Sequence, residues 1–218
     1  MALVIFDLDN TLIGGDSDHL WGEFLCEQGL VDSDEFAARN DQFYEDYKSG
    51  NLDIEAYLRF ALAPLKDRDP ELLAAWHRDF MTSKIEPVML PRAAQLIAKH
   101  RGRRDQLLII TATNEFITRP IAAALGIDDI IACEAQVRDG RYTGEPQGVP
   151  SYHEGKVVRL EQWLRERDIA MAGAYFYSDS HNDLPLLEQV DKPIAVDPDP
   201  KLLARAREAG WPVISLRD

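Results

Sequence analysis

Two aspartates at the end of the first apolar segment have the types and the spacing for chemistry on a charged group. Asp7 and Asp9 directly follow the apolar residues 3–6. Residues two apart on an extended chain point the same way, so both carboxylates could face one pocket. Carboxylates this close repel each other unless a cation lies between them or one keeps its proton. The pair therefore indicates a cation site or a proton-transfer site, with a solvated acidic turn as the alternative.

Three more groups of reactive side chains occupy comparable places further along the chain. Thr111 follows the apolar run 107–110, while Asp179 and Asp183 follow the strand-like run 174–178. Lys156 lies near the start of a helical segment, where a positive charge opposes the helix dipole and so suggests another role. The carboxyl ends of parallel strands meet at one edge of a sheet, where open α/β folds bind ligands. We therefore expect these groups to converge on Asp7 and Asp9.

The elements that must position these residues alternate between strands and helices everywhere except in one all-helical segment. Continuous apolar runs bounded by turn residues are typical of strands buried on both faces of a parallel sheet. An Asp-Gly pair within 136–143 predicts a hairpin. The predicted strands are 3–6, 107–113, 130–133, 174–178, 193–196 and 213–216. The fold class is therefore α/β, a doubly wound, mostly parallel, Rossmann-like sheet with a helical insertion.

The insertion reads as four amphipathic helices that begin near Ser17, Ser33, Ile54 and Pro70. We predict a core domain made of residues 1–14 and 85–218, and a helical cap domain made of residues 15–84. The aromatic residues of the insertion are interpreted mainly as core packing. Gly14 and Gly15 stand at the junction of the two, where a flexible pair suits a hinge.

The charge of the chain restricts its partners. The 218 residues carry a net charge of −14, and the segment from Gly14 to Lys84 holds sixteen Asp or Glu residues against seven Lys or Arg. Binding to nucleic acid or to an anionic membrane normally requires a basic surface, so neither partner is expected. A cap this acidic favours a cationic ligand. The oligomeric state stays open.

Cysteine content and hydropathy bear on the compartment. Cys26 and Cys133 are the two cysteines, and each lies in an apolar context far from the other. Buried free thiols are therefore expected rather than a disulfide, which suits a reducing compartment. The apolar runs are too short for a signal peptide or a membrane span. We expect a cytoplasmic protein.

Taken in order, the motifs resemble those of the haloacid dehalogenase-like superfamily of phosphohydrolases. That pattern consists of a strand with Asp-x-Asp-x-Thr, a second strand that ends in Thr or Ser, a Lys, and a strand followed by an acidic pair. It matches residues 7–11, Thr111, Lys156 and 179–183, and so covers the whole chain. Asn10 replaces the usual Gly, and Asn also tolerates turn conformations. The insertion is similar to the type 1 cap, and the pattern to subfamily IB, which includes phosphoserine phosphatase.

The resemblance implies a Mg²⁺-dependent phosphomonoesterase that acts through an aspartyl phosphate. Asp7 would be the nucleophile and a metal ligand, and Asp9 would move protons while its backbone carbonyl binds the metal. Asp179 would complete the metal site, with Asp183 bound directly or one layer further out. Three residues are then expected to hold the phosphate: Thr111, Ala112 and Lys156.

The small molecule that carries the phosphate would be selected by the cap. Asp16, Ser17, Asp18 and Trp21 follow the nucleophile closely enough to contact a leaving group, although Asp16 and Ser17 also suit helix capping. The motifs look most like the subfamily IB members that hydrolyse L-histidinol phosphate, whose amine and imidazole suit an acidic cap.

Several alternatives remain open from the sequence. Phosphoserine would need a basic cap residue, for which Arg39 and Arg59 are candidates, and a phosphocholine-like substrate could use Trp21 or Trp76. A phosphonatase would need a cap lysine that nothing marks out. A dehalogenase would not need Asp9 or the metal-binding acids. A calcium loop would need a glycine where Leu12 stands. The non-enzymatic alternative is a phosphate- or Mg²⁺-binding protein.

Overall fold

A computed structural model describes residues 2–217. Within these residues a single seven-stranded sheet has the order β4-β3-β2-β1-β5-β6-β7, and only the β3–β4 pair is antiparallel. The predicted fold class is confirmed. The strands are β1 (Leu3–Phe6), β2 (Gln106–Asn114), β3 (Asp129–Arg138), β4 (Arg141–Gln147), β5 (Tyr175–Ser178), β6 (Lys192–Val196) and β7 (Val213–Ile214).

The central strand β1 is buried on both faces because helices cover the sheet from either side. Val4 and Phe6 pack into one hydrophobic cluster, whereas Leu3 and Ile5 pack into another on the opposite face. This alternation explains why the strand is a continuous apolar run. Phe6 is level with Ile109 of β2 and Tyr177 of β5. The residues that follow these three strands therefore emerge at the same edge of the sheet.

The helices follow the predicted segments closely, and Asp16 caps α1 by accepting a hydrogen bond from the His19 backbone N–H at 2.9 Å. Short 3₁₀ and π turns connect some of them. The helices are α1 (Ser17–Glu27), α2 (Ser33–Ser49), α3 (Ile54–Leu62), α4 (Pro70–Phe80), α5 (Pro91–Gly102), α6 (Glu115–Ala124), α7 (Glu154–Arg167), α8 (Leu184–Leu187) and α9 (Pro200–Ala209).

The strand predicted over 130–133 is longer than its apolar run. β3 continues to Arg138, turns at Asp139 and Gly140, and pairs with β4. Both turn residues have positive φ, 51° and 76°, as a tight hairpin turn requires. The hairpin was predicted, but the polar residues before the turn concealed the length of the strand.

The helical insertion (residues 15–84) shares its hydrophobic cluster with the sheet. Trp21 and Phe24 of α1 pack against Phe80 at the end of α4, and Trp21 also packs against Phe116 of α6. The same cluster includes Phe6 of β1. The start of α1 is therefore held directly above the end of β1.

A second connection, the α2 tether, joins the C-terminal end of α2 to the segment after β5 and to the start of α9. The backbone carbonyl of Tyr47 accepts a hydrogen bond from Asn182 Nδ2 at 3.0 Å. The carbonyl of Ser49 accepts one from Lys201 Nζ at 2.9 Å. Carbonyls in the last turn of a helix lack the usual partner four residues further on, so they are free to accept these bonds from the rest of the chain.

Two expectations about the chain as a whole can be compared with the structure. Cys26 and Cys133 are both free thiols, as predicted, although Cys26 is only half-buried. Over residues 2–217, no helix has the length and apolar character needed to cross a membrane.

Candidate active site

Asp7 stands at the end of β1, where it is almost fully buried. Its backbone N–H donates to the Tyr177 carbonyl at 2.9 Å, which extends the β1–β5 pairing by one residue. One carboxylate oxygen accepts from Lys156 Nζ at 2.8 Å and the other from Thr11 Oγ1 at 3.2 Å. Burial raises the pKa of Asp7 to about 7, although the Lys156 charge opposes the rise. Asp7 is therefore a desolvated carboxylate with one buried cation beside it.

Lys156 is that cation, and only 2% of its side chain is exposed. Its Nζ lies 2.8 Å from Asp7 Oδ1 and 2.6 Å from Asp183 Oδ1. Burial by itself would lower the pKa of Lys156, but the Asp183 and Asp7 carboxylates raise it overall. Gly155 makes this position possible, since a Cβ there would lie 2.0 Å from the Pro150 carbonyl oxygen. The first turn of α7 can therefore pack closely enough for Lys156 to reach Asp7.

Thr11 links the first motif to the acidic loop after β5. Its hydroxyl lies 3.2 Å from Asp7 Oδ2 and 3.1 Å from Asp179 Oδ1, and it accepts the Asp179 backbone N–H at 3.1 Å. The turn that brings Thr11 back toward the strand passes through Asn10, which has a φ of 57°. Burial, followed by the charges of Asp7 and Asp183, raises the pKa of Asp179 well above its usual value.

Asp9 is held by donors from two elements. Oδ1 accepts the Ser17 backbone N–H at 2.7 Å, and Oδ2 accepts the Thr113 hydroxyl at 2.8 Å and the Thr111 hydroxyl at 3.4 Å. Burial, followed by the Asp16 charge, raises the pKa of Asp9 to about 6. Asp7 and Asp9 therefore have different surroundings: a lysine lies beside Asp7, whereas neutral donors surround Asp9.

Asp183 is held through both of its carboxylate oxygens, as Asp7 and Asp9 are. Oδ1 pairs with Lys156 at 2.6 Å, and Oδ2 accepts the Ser178 hydroxyl at 2.7 Å. Among the described residues, no three or more His, Cys, Asp or Glu side chains form a group that could hold a metal ion. The carboxylates joined through Thr11, those of Asp7 and Asp179, are nevertheless hard oxygen donors of the kind Mg²⁺ uses together with waters and phosphate oxygens. This donor set fits Mg²⁺.

A cavity adjoins the two aspartates of the first motif and extends under the helical insertion. Its polar walls include four carboxylates, and its remaining walls are largely aromatic or aliphatic. None of the residues that line it is Lys or Arg. The lining residues are Asp7, Asp9, Asp16, Asp18, His19, Asn40, Phe43, Tyr44, Tyr47, Leu52, Ile54, Tyr57, Thr111, Ala112 and Thr113.

Of the insertion residues that were predicted to contact substrate, some line the cavity and others do not. Asp16 and Asp18 line the cavity. Ser17 contacts Asp9 through its backbone, while its hydroxyl is buried without a hydrogen-bond partner among residues 2–217. Trp21, contrary to the prediction, does not line the cavity, because its ring is 2% exposed and packs in the hydrophobic cluster of the insertion.

Conversely, several cavity residues were predicted to be core. Tyr44 and Tyr47 of α2 line the cavity together with Asn40, which donates to the His19 carbonyl at 3.0 Å. Asn40, Tyr44 and Tyr47 are spaced four and three residues apart, so they share one face of α2. The signal in the sequence was chemical, since this face carries amide and hydroxyl groups where a core face would carry Leu or Ile.

Comparison with known proteins agrees with this arrangement. Residues 4–188 match the family model described as haloacid dehalogenase-like hydrolase. A protein of Neisseria meningitidis serogroup C (strain 8013) named histidinol-phosphatase is 49% identical, and the match covers 99% of both chains. A crystal structure of a protein of unknown function from Bordetella pertussis Tohama I is 45% identical, with a TM-score of 0.93 over 99% of this chain and 98% of that one. A phospho-aspartyl intermediate analogue of phosphoserine phosphatase, 19% identical, shares the fold with a TM-score of 0.71 over 99% and 93% of the two chains.

Proposed function

This chain belongs to the haloacid dehalogenase-like hydrolase family and is a phosphatase, and we propose that it is a Mg²⁺-dependent phosphatase of L-histidinol phosphate. The observation that carries the choice of substrate is the cavity beside Asp7, which has four carboxylates and no Lys or Arg in its lining. Such a cavity favours a phosphate ester whose other end is cationic. The name and identity of the Neisseria relative support the same substrate.

In the proposed reaction Asp7 attacks phosphorus. An Asp7 oxygen forms a bond to phosphorus as the ester oxygen leaves, which gives an aspartyl phosphate that water then hydrolyses. The neighbouring Lys156 cation supports this role because it favours the ionised form of Asp7 and adds positive charge next to the incoming phosphate. Burial of both groups strengthens this attraction relative to water.

Asp9 is proposed to move the protons. Its raised pKa of about 6 leaves a protonated fraction near neutral pH, which can donate to the leaving alkoxide. The resulting carboxylate then accepts a proton from the water that attacks the aspartyl phosphate. The hydrogen bonds from Ser17 and Thr113 hold the carboxylate in one orientation for both steps.

Mg²⁺ would be held by the Asp7 and Asp179 carboxylates and by the backbone carbonyl of Asp9. When bound, it neutralises the repulsion between the carboxylate nucleophile and the anionic phosphate. Asp183 would bind the metal directly or lie one layer further out. Its bonds to Lys156 and Ser178 would also hold Lys156 against Asp7. To bind the phosphate, the Thr111 hydroxyl would have to exchange its bond to Asp9 for one to a phosphate oxygen. Otherwise the Ala112 backbone would bind the phosphate.

Phosphoserine is disfavoured by its carboxylate. The cavity lining offers that group no Lys or Arg partner. Of the two arginines considered from the sequence, Arg39 stacks on Phe60, and Arg59 pairs with Glu55 and Glu145. Neither arginine lines the cavity. Histidinol phosphate has no carboxylate, and both its amine and its imidazole can carry positive charge.

The test is a panel of phosphomonoesters assayed with Mg²⁺ and again after chelation. We expect kcat/KM for histidinol phosphate to exceed that for phosphoserine by at least about tenfold, a difference of about 1.4 kcal/mol in transition-state binding. Chelation should abolish both activities. A preference for sugar phosphates would contradict the proposed substrate. Hydrolysis of p-nitrophenyl phosphate by wild type but not by Asp7→Asn would separate the enzyme from a non-catalytic phosphate-binding protein.

A further inference from the structure

Asp18 is a cavity carboxylate that the proposed reaction does not use. It lies in the first turn of α1, lines the cavity, and is only 6% exposed. Asn114 Nδ2 donates to Asp18 Oδ1 at 3.3 Å. Tyr57, from α3, lines the same cavity, and burial followed by the Asp18 charge raises the pKa of Tyr57 well above its usual value.

No side chain within residues 2–217 neutralises this carboxylate. Lys, Arg and His side chains form ion pairs with other acids of the described chain but not with Asp18. Burial, followed by the charge of Asp16, raises the pKa of Asp18 well above its usual value. A buried carboxylate without a cation destabilises the fold. A ligand that brings positive charge to this point of the cavity would remove that penalty.

The order of the acids along the cavity indicates which part of a ligand reaches Asp18. Phe6, the residue before Asp7, is level with Ile109 of β2. Asp9 accepts from the hydroxyls of Thr111 and Thr113, and Asp18 accepts from Asn114, the last residue of β2. Asp18 therefore lies further along β2 from the nucleophile than Asp9 does. The charge of Asp7 raises the pKa of Asp16, which agrees with a place for Asp16 nearer the nucleophile. A group next to the ester carbon would meet Asp16, and a group further along the ligand would meet Asp18.

From this arrangement, and on the basis of the proposed function, we propose that Asp18 binds the imidazole ring of histidinol phosphate through a ring N–H. Asp18 is then the residue that distinguishes this substrate from phosphorylated amines without a ring. The cavity walls suit a planar group, because Tyr57, Leu52 and Ile54 contribute a ring and aliphatic carbons to the cavity that Asp18 lines.

Tyr57 and Asn114 act as positioning residues for Asp18. The Asn114 side chain is itself fixed, because its Oδ1 accepts the Ile117 backbone N–H at 3.3 Å as the N-cap of α6. Its amide hydrogens are thereby directed toward Asp18. Asn114 thereby joins Asp18 of the insertion to the end of β2, and Tyr57 of α3 lines the same cavity. Ring binding therefore depends on a carboxylate that Asn114 holds in place.

The experiment compares two substrates that share a phosphate and an amine but differ in the ring, histidinol phosphate and O-phosphoethanolamine. We expect Asp18→Asn to lower the ratio of their kcat/KM values by about tenfold or more, as the loss of a charge-assisted hydrogen bond predicts. Asp34→Asn, an exposed carboxylate in the first turn of α2, is the matched control and should keep the wild-type ratio. Tyr57→Phe should raise KM for histidinol phosphate with a smaller change in kcat, which a general loss of folding would not produce.

Thermal unfolding separates a binding effect from misfolding. Asp18→Asn should unfold at the wild-type temperature or above, because it removes a buried charge, and should lose most of the stabilisation that added histidinol gives to wild type. A wild-type preference for histidinol phosphate that Asp18→Asn retains within twofold would overturn the assignment of Asp18 and leave the proposed function intact. If wild type had similar kcat/KM values for histidinol phosphate and O-phosphoethanolamine, the proposed function would be overturned, and the role of Asp18 with it.

Discussion

Lys156→Met is the most informative substitution in the catalytic centre. Lys156 lies between two carboxylates, with N–O distances of 2.8 Å to Asp7 and 2.6 Å to Asp183, and the three side chains are exposed by 4% or less. Methionine has a similar unbranched shape, so it fills the space but removes the charge. The substitution therefore leaves two buried carboxylates without their cation.

The expected loss of unfolding free energy in Lys156→Met depends on pH. Removing one partner of a buried ion pair typically costs about 3–5 kcal/mol. Because burial raises the pKa of Asp7 from 3.8 to about 7, the native protein holds a proton that the unfolded chain releases, and stability falls as pH rises through that interval. Lys156 lowers the pKa of Asp7, so its removal extends the interval above pH 7. We expect the deficit of Lys156→Met to grow by up to about 1.4 kcal/mol per pH unit above neutral pH.

The measurement is denaturant unfolding of metal-free protein at several pH values between 6 and 8.5, with Lys99→Met as the control. Lys99 is exposed near the end of α5, and its substitution should change the unfolding free energy by less than about 0.5 kcal/mol at every pH. Phosphatase activity of Lys156→Met should fall by about 10² or more. This account of the charges would be refuted if Lys156→Met were as stable as wild type at pH 8.5, or if its loss of unfolding free energy did not change with pH.

Three further substitutions test other parts of the structure. Gly155→Ala should lower both stability and kcat/KM, because its Cβ would lie 2.0 Å from the Pro150 carbonyl oxygen and displace the start of α7. An unchanged melting temperature and unchanged turnover would contradict this. His100→Leu should cost about 2–4 kcal/mol of unfolding free energy, since it removes 2.9 Å bonds to the Tyr177 hydroxyl and the Asp105 carboxylate. It should leave kcat/KM near wild type, because His100 does not line the cavity. Asp7→Asn should abolish turnover without lowering the melting temperature, since it removes a buried carboxylate, and residual turnover above about a thousandth of wild type would exclude Asp7 as nucleophile.

Much of the sheet could be predicted because parallel strands leave a simple trace in the sequence. β1, β2 and β5 are apolar on both faces, so each reads as a continuous apolar run. The full length of β3 could not be predicted, because its continuous apolar run ends at Cys133 and its last two residues are exposed. Their strand conformation comes from pairing with β4, which is a property of two segments rather than one.

The central residues of the site could be predicted from the sequence, because they follow strands that end at the same edge of the sheet. Asp7, Lys156 and Asp183 were expected to meet, and the structure brings them within hydrogen-bond distance. The bridging hydroxyl of Thr11 and the bond from Thr113 to Asp9 were not predicted. A threonine is common in strands, and its hydroxyl direction depends on a rotamer that the sequence does not state.

In the helical insertion, the sequence was less informative about which aromatic rings face the ligand. Trp21 was assigned to the substrate and lies in the hydrophobic cluster, whereas Tyr44 and Tyr57 were assigned to the core and line the cavity. Helical periodicity defines a face but not what the face meets. The hydroxyl groups of the tyrosines were the better guide, because a wall that contacts polar ligands needs polar tips.

The α2 tether has a consequence for how this protein can change over evolution. The insertion contributes only main-chain carbonyls to it, those of Tyr47 and Ser49, while the chain after β5 contributes the specific side chains Asn182 and Lys201. Substitutions in α2 can therefore alter the wall of the cavity without breaking the tether, provided that the helix keeps its end. New substrates are accessible through the insertion alone, whereas drift at Asn182 or Lys201 would loosen the insertion whatever its sequence.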